Sequence, residues 1–197
     1  MKDYREAVVR DVKAKKDTVI KFLGFKDREP RPVMMKKIDK GLEDFEQYIN
    51  LSYGYCLNED EMYADIVYTI GENFEKEIER LIESGLAFPA MVLDKVGIVT
   101  LDMYRKHIMK EIYEASGLSV KKYVYPGTKT YPVSFQKEIY ENVGLDTVKI
   151  NEYNQLFPVK SVAIRALLQK GESLKEFSPC EGCEAKCEMR NEREFLI

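Results

Sequence analysis

The sequence predicts an α+β fold, an antiparallel sheet flanked by helices, and three observations carry that prediction. Helical and strand-like segments alternate irregularly, not in the strict βαβα order that builds a parallel sheet. One apolar segment, 89–115, is long enough to be a central core helix. No Gly-rich strand–loop–helix of the nucleotide-binding type is visible in the chain. The 197 residues, 45% of them hydrophobic, suffice for one cored domain with a small appendage. Charged residues make up 33% at a net charge of −3, a balance that argues against a general nucleic-acid or membrane binder. Abundant Lys and Glu fit a thermophilic source. No apolar run reaches bilayer length and the N-terminus does not read as a signal peptide, so a cytoplasmic protein is expected.

Taken in order, 3–23 reads as helix through Val8, Val9, Val12, Val19 and Ile20, ended by Gly24 and the Pro30-Arg-Pro32 pair. A second helix is expected over 33–48, where Met34, Met35, Ile38, Leu42, Phe45 and Tyr48 recur at threes and fours. The aromatic, β-branched run 48–56 reads as strand, 58–61 as a polar turn, and 64–70 as a short buried strand stopping at Gly71. A helix over 73–84 buries Phe74, Ile78, Leu81 and Ile82, with Gly85 as its C-terminal cap. In the long helix, Gly97 costs roughly 1 kcal/mol against Ala, which points to close packing there.

The stretch from Tyr123 to Pro132 reads as a stiff, aromatic-rich loop. Pro126 fixes its own φ, Tyr125 is pushed toward an extended conformation, and Gly127 permits positive φ and close approach. Such a bend offers main-chain atoms to a small molecule at little entropic cost. A helix over 133–143 ends at Gly144; 147–153 alternates as a strand, 156–160 turns, and 161–168 returns as a strand. The boundary is placed at Gly171, giving a domain over 1–171 and an appendage over 172–197.

That appendage carries Cys180, Cys183 and Cys187. Three thiols within eight residues are a cluster, not a disulfide framework, and their spacing suits zinc or an iron–sulfur centre. Both usually take four protein ligands, and Cys56 is the remaining thiol; free cysteines are the alternative. His107 is the sole histidine, so no histidine-based catalytic constellation can be built. Glu152 and Lys160 read as structural.

These pieces together resemble the activation (reactivation) domain of cobalamin-dependent methionine synthase, in a free-standing form. Thr69-Ile-Gly71 resembles that family's Thr-x-Gly step, and Leu93-Asp-Lys-Val-Gly97 its Leu-Asp-x-x-Gly at the start of the long helix. Pro126-Gly127, Pro132 and Gln136 resemble its Pro-Gly-Tyr…Pro…Gln segment. Glu152 with Pro158-Val-Lys-Ser-Val162 resembles its strand–turn–strand. The likeness spans about 20–170, in order and in register.

The resemblance implies a bent antiparallel sheet, S-adenosylmethionine as ligand, docking over a cobalamin-carrying partner chain, and an electron from a flavodoxin- or ferredoxin-type donor. The cofactor and the sulfonium would carry the chemistry, leaving positioning and electrostatics to the protein. Carried over by position, the ligand contacts implied are Tyr123, Tyr125, Pro126, Gly127, Thr128 and Lys95. Three departures stand out. Thr128 replaces the Tyr after Pro-Gly; Tyr123 occupies the place of an Arg, with Lys121 and Lys122 adjacent; Lys95 stands for a second Arg. Lys cannot copy the two-pronged planar contact of Arg with a carboxylate. The family's early Asp contact to the ligand has no counterpart. The function implied is a component of methionine synthase, a reactivation subunit of a split enzyme. The alternative is a corrinoid-protein docking or electron-transfer adaptor without an S-adenosylmethionine site, and a methyltransferase acting alone is a weaker third reading.

Overall fold

The computed structural model describes residues 2–5, 14–25 and 28–171. Its centre is a five-stranded sheet in the order β1-β2-β3-β7-β4, formed by β1 Lys2–Arg5, β2 Ser52–Asn58, β3 Tyr63–Thr69, β7 Ser161–Lys170 and β4 Leu118–Val124. Every neighbouring pair is antiparallel, as the α+β reading requires. Strand alternation assigns side chains to two covered faces. Ile66 and Tyr68 of β3, with Ile164, Ala166 and Leu168 of β7, join the larger core. Val67 and Ala163 point the other way into a smaller one.

Helix α4, Ala87–Ser116, fills the larger side. At 30 residues it is about 45 Å long. Its Val92, Val96, Tyr104, Ile108 and Ile112 are fully buried. Helices α1 (Lys16–Phe22), α2 (Pro32–Asp44) and α3 (Glu72–Glu83) pack on α4. Pro32 starts α2, where its missing N–H is harmless. The opposite face carries α5, Phe135–Val143, and a two-stranded ribbon of β5 (Lys149–Ile150) and β6 (Leu156–Phe157).

Four expectations are corrected. The segment 3–23 is not one helix: β1 pairs with the edge of β2, Lys2 opposite Cys56, and α1 begins only at Lys16. The open edge of β2 supplies backbone partners that outweigh local helix propensity. Val8, Val9 and Val12 lie outside the described residues. Second, the segment 118–124 was not expected as a strand, yet β4 closes one edge of the sheet and takes Tyr123 into it. Third, 147–153 is not a strand paired with 161–168. Asn151 Oδ1 accepts the N–H groups of Tyr153 and Gln155 and curls the chain after two residues of strand. Strand β7 is thereby left to fill the place between β3 and β4. The run predicted over 48–56 begins as strand only at Ser52, after a 3₁₀ turn at Phe45–Gln47.

Three of the sequence motifs meet at one structural node. The Thr69 hydroxyl donates to the Lys160 carbonyl and accepts the Gly71 N–H. Lys160 Nζ lies 2.6 Å from Asp94 Oδ1, and its backbone N–H reaches Glu75. Gly97 sits against the same group: a Cβ there would stand 2.7 Å from Phe74 Cε1 and 3.0 Å from Lys160 Cδ. The Thr-x-Gly, Leu-Asp-x-x-Gly and Pro-x-Lys-Ser motifs are therefore one fastening of α3, α4 and the start of β7. Lys160 is structural, as its sequence position suggested.

Candidate functional site

Strand β4 runs straight into the Pro-Gly bend. A register shift between Val120 and Lys122 interrupts its pairing with β7, a bulge at an exposed edge. The same edge carries exposed Lys121 and Lys122, which discourage pairing with another chain. Beyond it Gly127 adopts φ +95°, a conformation that favours glycine. The bend is closed from within. Gly127 N–H and Thr128 N–H both donate to the Tyr131 carbonyl, at 2.8 and 2.9 Å, and Tyr131 N–H donates back to Thr128 Oγ1 at 3.1 Å. Gly127 itself is exposed, and the nearest atom to a Cβ placed there is Val133 Cγ2 at 3.8 Å. The outer surface of the bend is open. The Gly127 and Thr128 amides are already engaged, and Thr128 Oγ1 accepts the Tyr131 N–H.

Beneath the bend lies a buried charge that sequence reasoning missed. Arg105 of α4 is 2% exposed, bonds Asp102 at 2.7 Å, and stacks over the Tyr123 ring with Cζ 4.4 Å from its centroid. Burial disfavours the charged form, but Tyr123, Tyr125 and Asp102 outweigh it and raise the Arg105 pKa. Burial pushes the Tyr123 phenol up, partly opposed by Arg105. The available signal was an Asp–Arg pair three residues apart on a helix whose flanking positions Leu101, Tyr104 and Ile108 are core.

The end of β4 and the bend enclose a cleft of about 50 Å³, lined by Lys122, Tyr123, Tyr125, Thr128, Thr130 and Tyr131 among others. It brings together Tyr123, Tyr125 and Thr128, three of the positions implied by the resemblance. Pro126 is half-buried beside them and Gly127 exposed. Tyr123 presents little surface, at 3% exposure. Lys95 is not among the cleft residues. It pairs with Asp94 at 2.9 Å and lies about 15 Å of helix before Arg105. Gln136 binds the Asn154 carbonyl at 2.6 Å and ties α5 to the ribbon. The Tyr131 ring packs on that of Phe135, tilted by 40° with centroids 5.2 Å apart, so the bend is braced against the first turn of α5.

His107 is exposed and stacks on Tyr104; Glu152 is exposed. Cys56 is a half-buried free thiol in β2, while Cys180, Cys183 and Cys187 lie outside the described residues. Among the described residues no group of three or more His, Cys, Asp or Glu is placed to hold a metal ion, and no helix is long and apolar enough to cross a membrane.

No family model matches the sequence, and no curated protein matches it. Among solved structures, the MetH reactivation domain bound to AdoHcy aligns with a TM-score of 0.62. The alignment covers 90% of this chain and 81% of that one, at 9% sequence identity. Identity that low speaks for the fold alone, and the shared fold is the antiparallel sheet with flanking helices described above. The chain has the fold of the MetH reactivation domain.

Proposed function

We propose that the protein is a reactivation subunit of a split cobalamin-dependent methionine synthase. It binds S-adenosylmethionine on the outer surface of the Tyr125–Thr128 bend and docks on a cobalamin-bearing partner chain. There it supports reductive methylation of Co(II) cobalamin with an electron from a flavodoxin- or ferredoxin-type donor. The observation that carries this reading is the shared architecture over nine-tenths of the chain, with the bend at the sheet edge left open. The cobalamin and the sulfonium supply the chemistry; Tyr123, Tyr125, Pro126, Gly127 and Thr128 position the ligand, and Lys95 offers charge on α4.

The size of the cleft shapes the proposal. Pockets that bury a drug-sized ligand measure roughly 300–1,000 Å³, against about 50 Å³ here. The ligand would therefore lie across the bend, and the partner's surface would cover it. The reading assigns residues 1–171 to the module and 172–197 to an appendage, in a cytoplasmic protein, with zinc or iron–sulfur ligation by Cys180, Cys183 and Cys187. Elemental analysis and visible-range absorbance of the purified protein test that ligation.

The whole reading is tested by supplying the chain, a reductant and S-adenosylmethionine to a Co(II)-form methionine synthase that lacks its own activation domain. Recovery of methionine synthesis that needs both the chain and S-adenosylmethionine is expected. No recovery with an active electron donor overturns it. One observation favours a second reading, a docking or electron-transfer adaptor without its own S-adenosylmethionine site: the Gly127 and Thr128 amides are engaged by Tyr131. Under that reading, recovery is independent of S-adenosylmethionine bound to this chain.

A further inference from the structure

Helix α2 carries its charges in an order that does not serve the helix. Between Arg28 and Lys40 stand five cations, Arg28, Arg31, Lys36, Lys37 and Lys40, and two acids, in a protein of net charge −3. A helix start favours acidic residues and a cap by Asn, Asp, Ser or Thr. Here Arg31 holds the N-cap position with no side-chain cap bond, and the first turn contains no acid. The acids Glu43, Asp44 and Glu46 come at and beyond the other end, and the last turn contains no base.

The cations share the outward face. Val33, Lys36, Lys37 and Lys40 recur at i, i+3, i+4 and i+7 and all are exposed, opposite the fully buried Ile38. Gly41 lies so close to α4 that a Cβ there would stand 2.6 Å from Val92 Cγ1, which fixes that face outward. Asp39 is held by Lys16, and Lys40 by Asp44. Among the described residues Arg31, Lys36 and Lys37 form no ion pair. Val33 stands among them at 60% exposure, beside exposed Pro32. An apolar centre inside a charged rim is the pattern of a protein contact, not of a phosphate track. From Val33 to Lys40 the face measures about 10 Å. Exposed Glu43 and Glu46 follow it and repel a longer polyanion.

We propose that the outer face of α2 is a docking surface for a short acidic segment of a partner protein, its carboxylates against Arg31, Lys36 and Lys37 and an apolar side chain on Val33. The inference rests on the charge order and exposure of α2, and not on the S-adenosylmethionine reading. Val92, where α2 meets α4, lies about 20 Å of helix before Arg105 beneath the bend. An acidic segment on α2 and a ligand at the bend therefore do not compete.

The test is fluorescence anisotropy of a labelled peptide of four Glu-Glu-Leu-Glu repeats, titrated with the full-length chain at pH 7 and low ionic strength. Saturable binding that weakens as sodium chloride is raised is expected, and none by four Gln-Gln-Leu-Gln repeats. Lys36→Glu should weaken binding at least fivefold. Lys110→Glu, on an exposed position of α4, should weaken it less than twofold, although both variants change the net charge equally. Arg31→Asp gives readouts of opposite sign. It supplies the missing cap, so the melting temperature holds or rises, while affinity for the peptide falls at least fivefold. Equal losses in the Lys36 and Lys110 variants overturn the proposal. So does the absence of saturable binding, or tighter binding of a short DNA duplex or of phosphatidylserine vesicles at the same ionic strength. S-adenosylmethionine binding, measured separately by calorimetry, can fail while the peptide binds, so the two failures are distinguishable.

Discussion

Arg105 sits at 2% exposure with its charge retained, because Asp102 and the phenol rings of Tyr123 and Tyr125 replace the water it has lost. Removing one member of a buried pair leaves the other uncompensated, so Arg105→Met should cost about 3–5 kcal/mol. Urea denaturation measures this, and an unchanged midpoint would show that the pair does not hold the bend's floor. Gly97 poses a sharper contest between effects. Alanine there gains roughly 1 kcal/mol of helix propensity but drives a methyl into Phe74 and Lys160, an overpacking cost of roughly 1–3 kcal/mol. Gly97→Ala should therefore lower the melting temperature, although the same change on an exposed helix face would raise it. At Asp94, burial pushes the carboxyl pKa up, and Lys160 and Lys95 outweigh it, so the native value is depressed. Its stabilisation is complete above the unfolded carboxyl range, about 3.9, and is lost as pH falls through the lower native value. About a third of the Asp94 side chain is exposed, so Asp94→Asn should cost roughly 1 kcal/mol near neutrality. The difference from the parent should shrink as pH falls below the unfolded carboxyl value and through the depressed native one.

Among the elements, α5 is clamped to the sheet by one cluster. Arg165 forms two parallel bonds to the fully buried Asp65, at 2.7 and 2.8 Å, and reaches Glu138 of α5; Asn142 binds Asp65 from the same helix. Tyr63 and Phe135 stack on the Arg165 guanidinium. Because Tyr131 packs on Phe135, the orientation of the bend is tied to this clamp. Asn142→Ala should cost about 1–3 kcal/mol by leaving a buried carboxylate short of a donor, and hydrogen exchange should quicken in α5 before it does in α4. Equal acceleration in both helices would mean that α5 is not separately fastened. The elements also show where sequence reasoning succeeds and fails. The long helix was legible from its wide apolar face, and β3 from a short apolar run that is buried on both faces and stops at Gly71. Strand β4 was not, since its bulge sets Lys121 and Lys122 side by side and breaks the alternation. Strand β1 owes its conformation to β2, a partner some fifty residues away in sequence. Of the site, the bend was legible from Pro126 and Gly127, whose backbone limits are intrinsic. Arg105 was not, because only the packing of α4 on β4 brings its guanidinium beneath Tyr123.

At the scale of the molecule, two helical and ribbon layers cover the sheet, and the Pro-Gly bend stands at its edge with an open outer surface. Thr69, Asp94, Gly97 and Lys160 fasten α3, α4 and the start of β7 together beneath that architecture. The bend is where the functional account stands or falls. The most direct measurement is calorimetric titration of the full chain with S-adenosylmethionine, alone and with the cobalamin-bearing partner, beside a Gly127→Val variant. The account predicts saturable one-to-one binding, strengthened by the partner and reduced at least tenfold by Gly127→Val with folding retained. Absence of binding in both conditions, or equal binding by the variant, would contradict it.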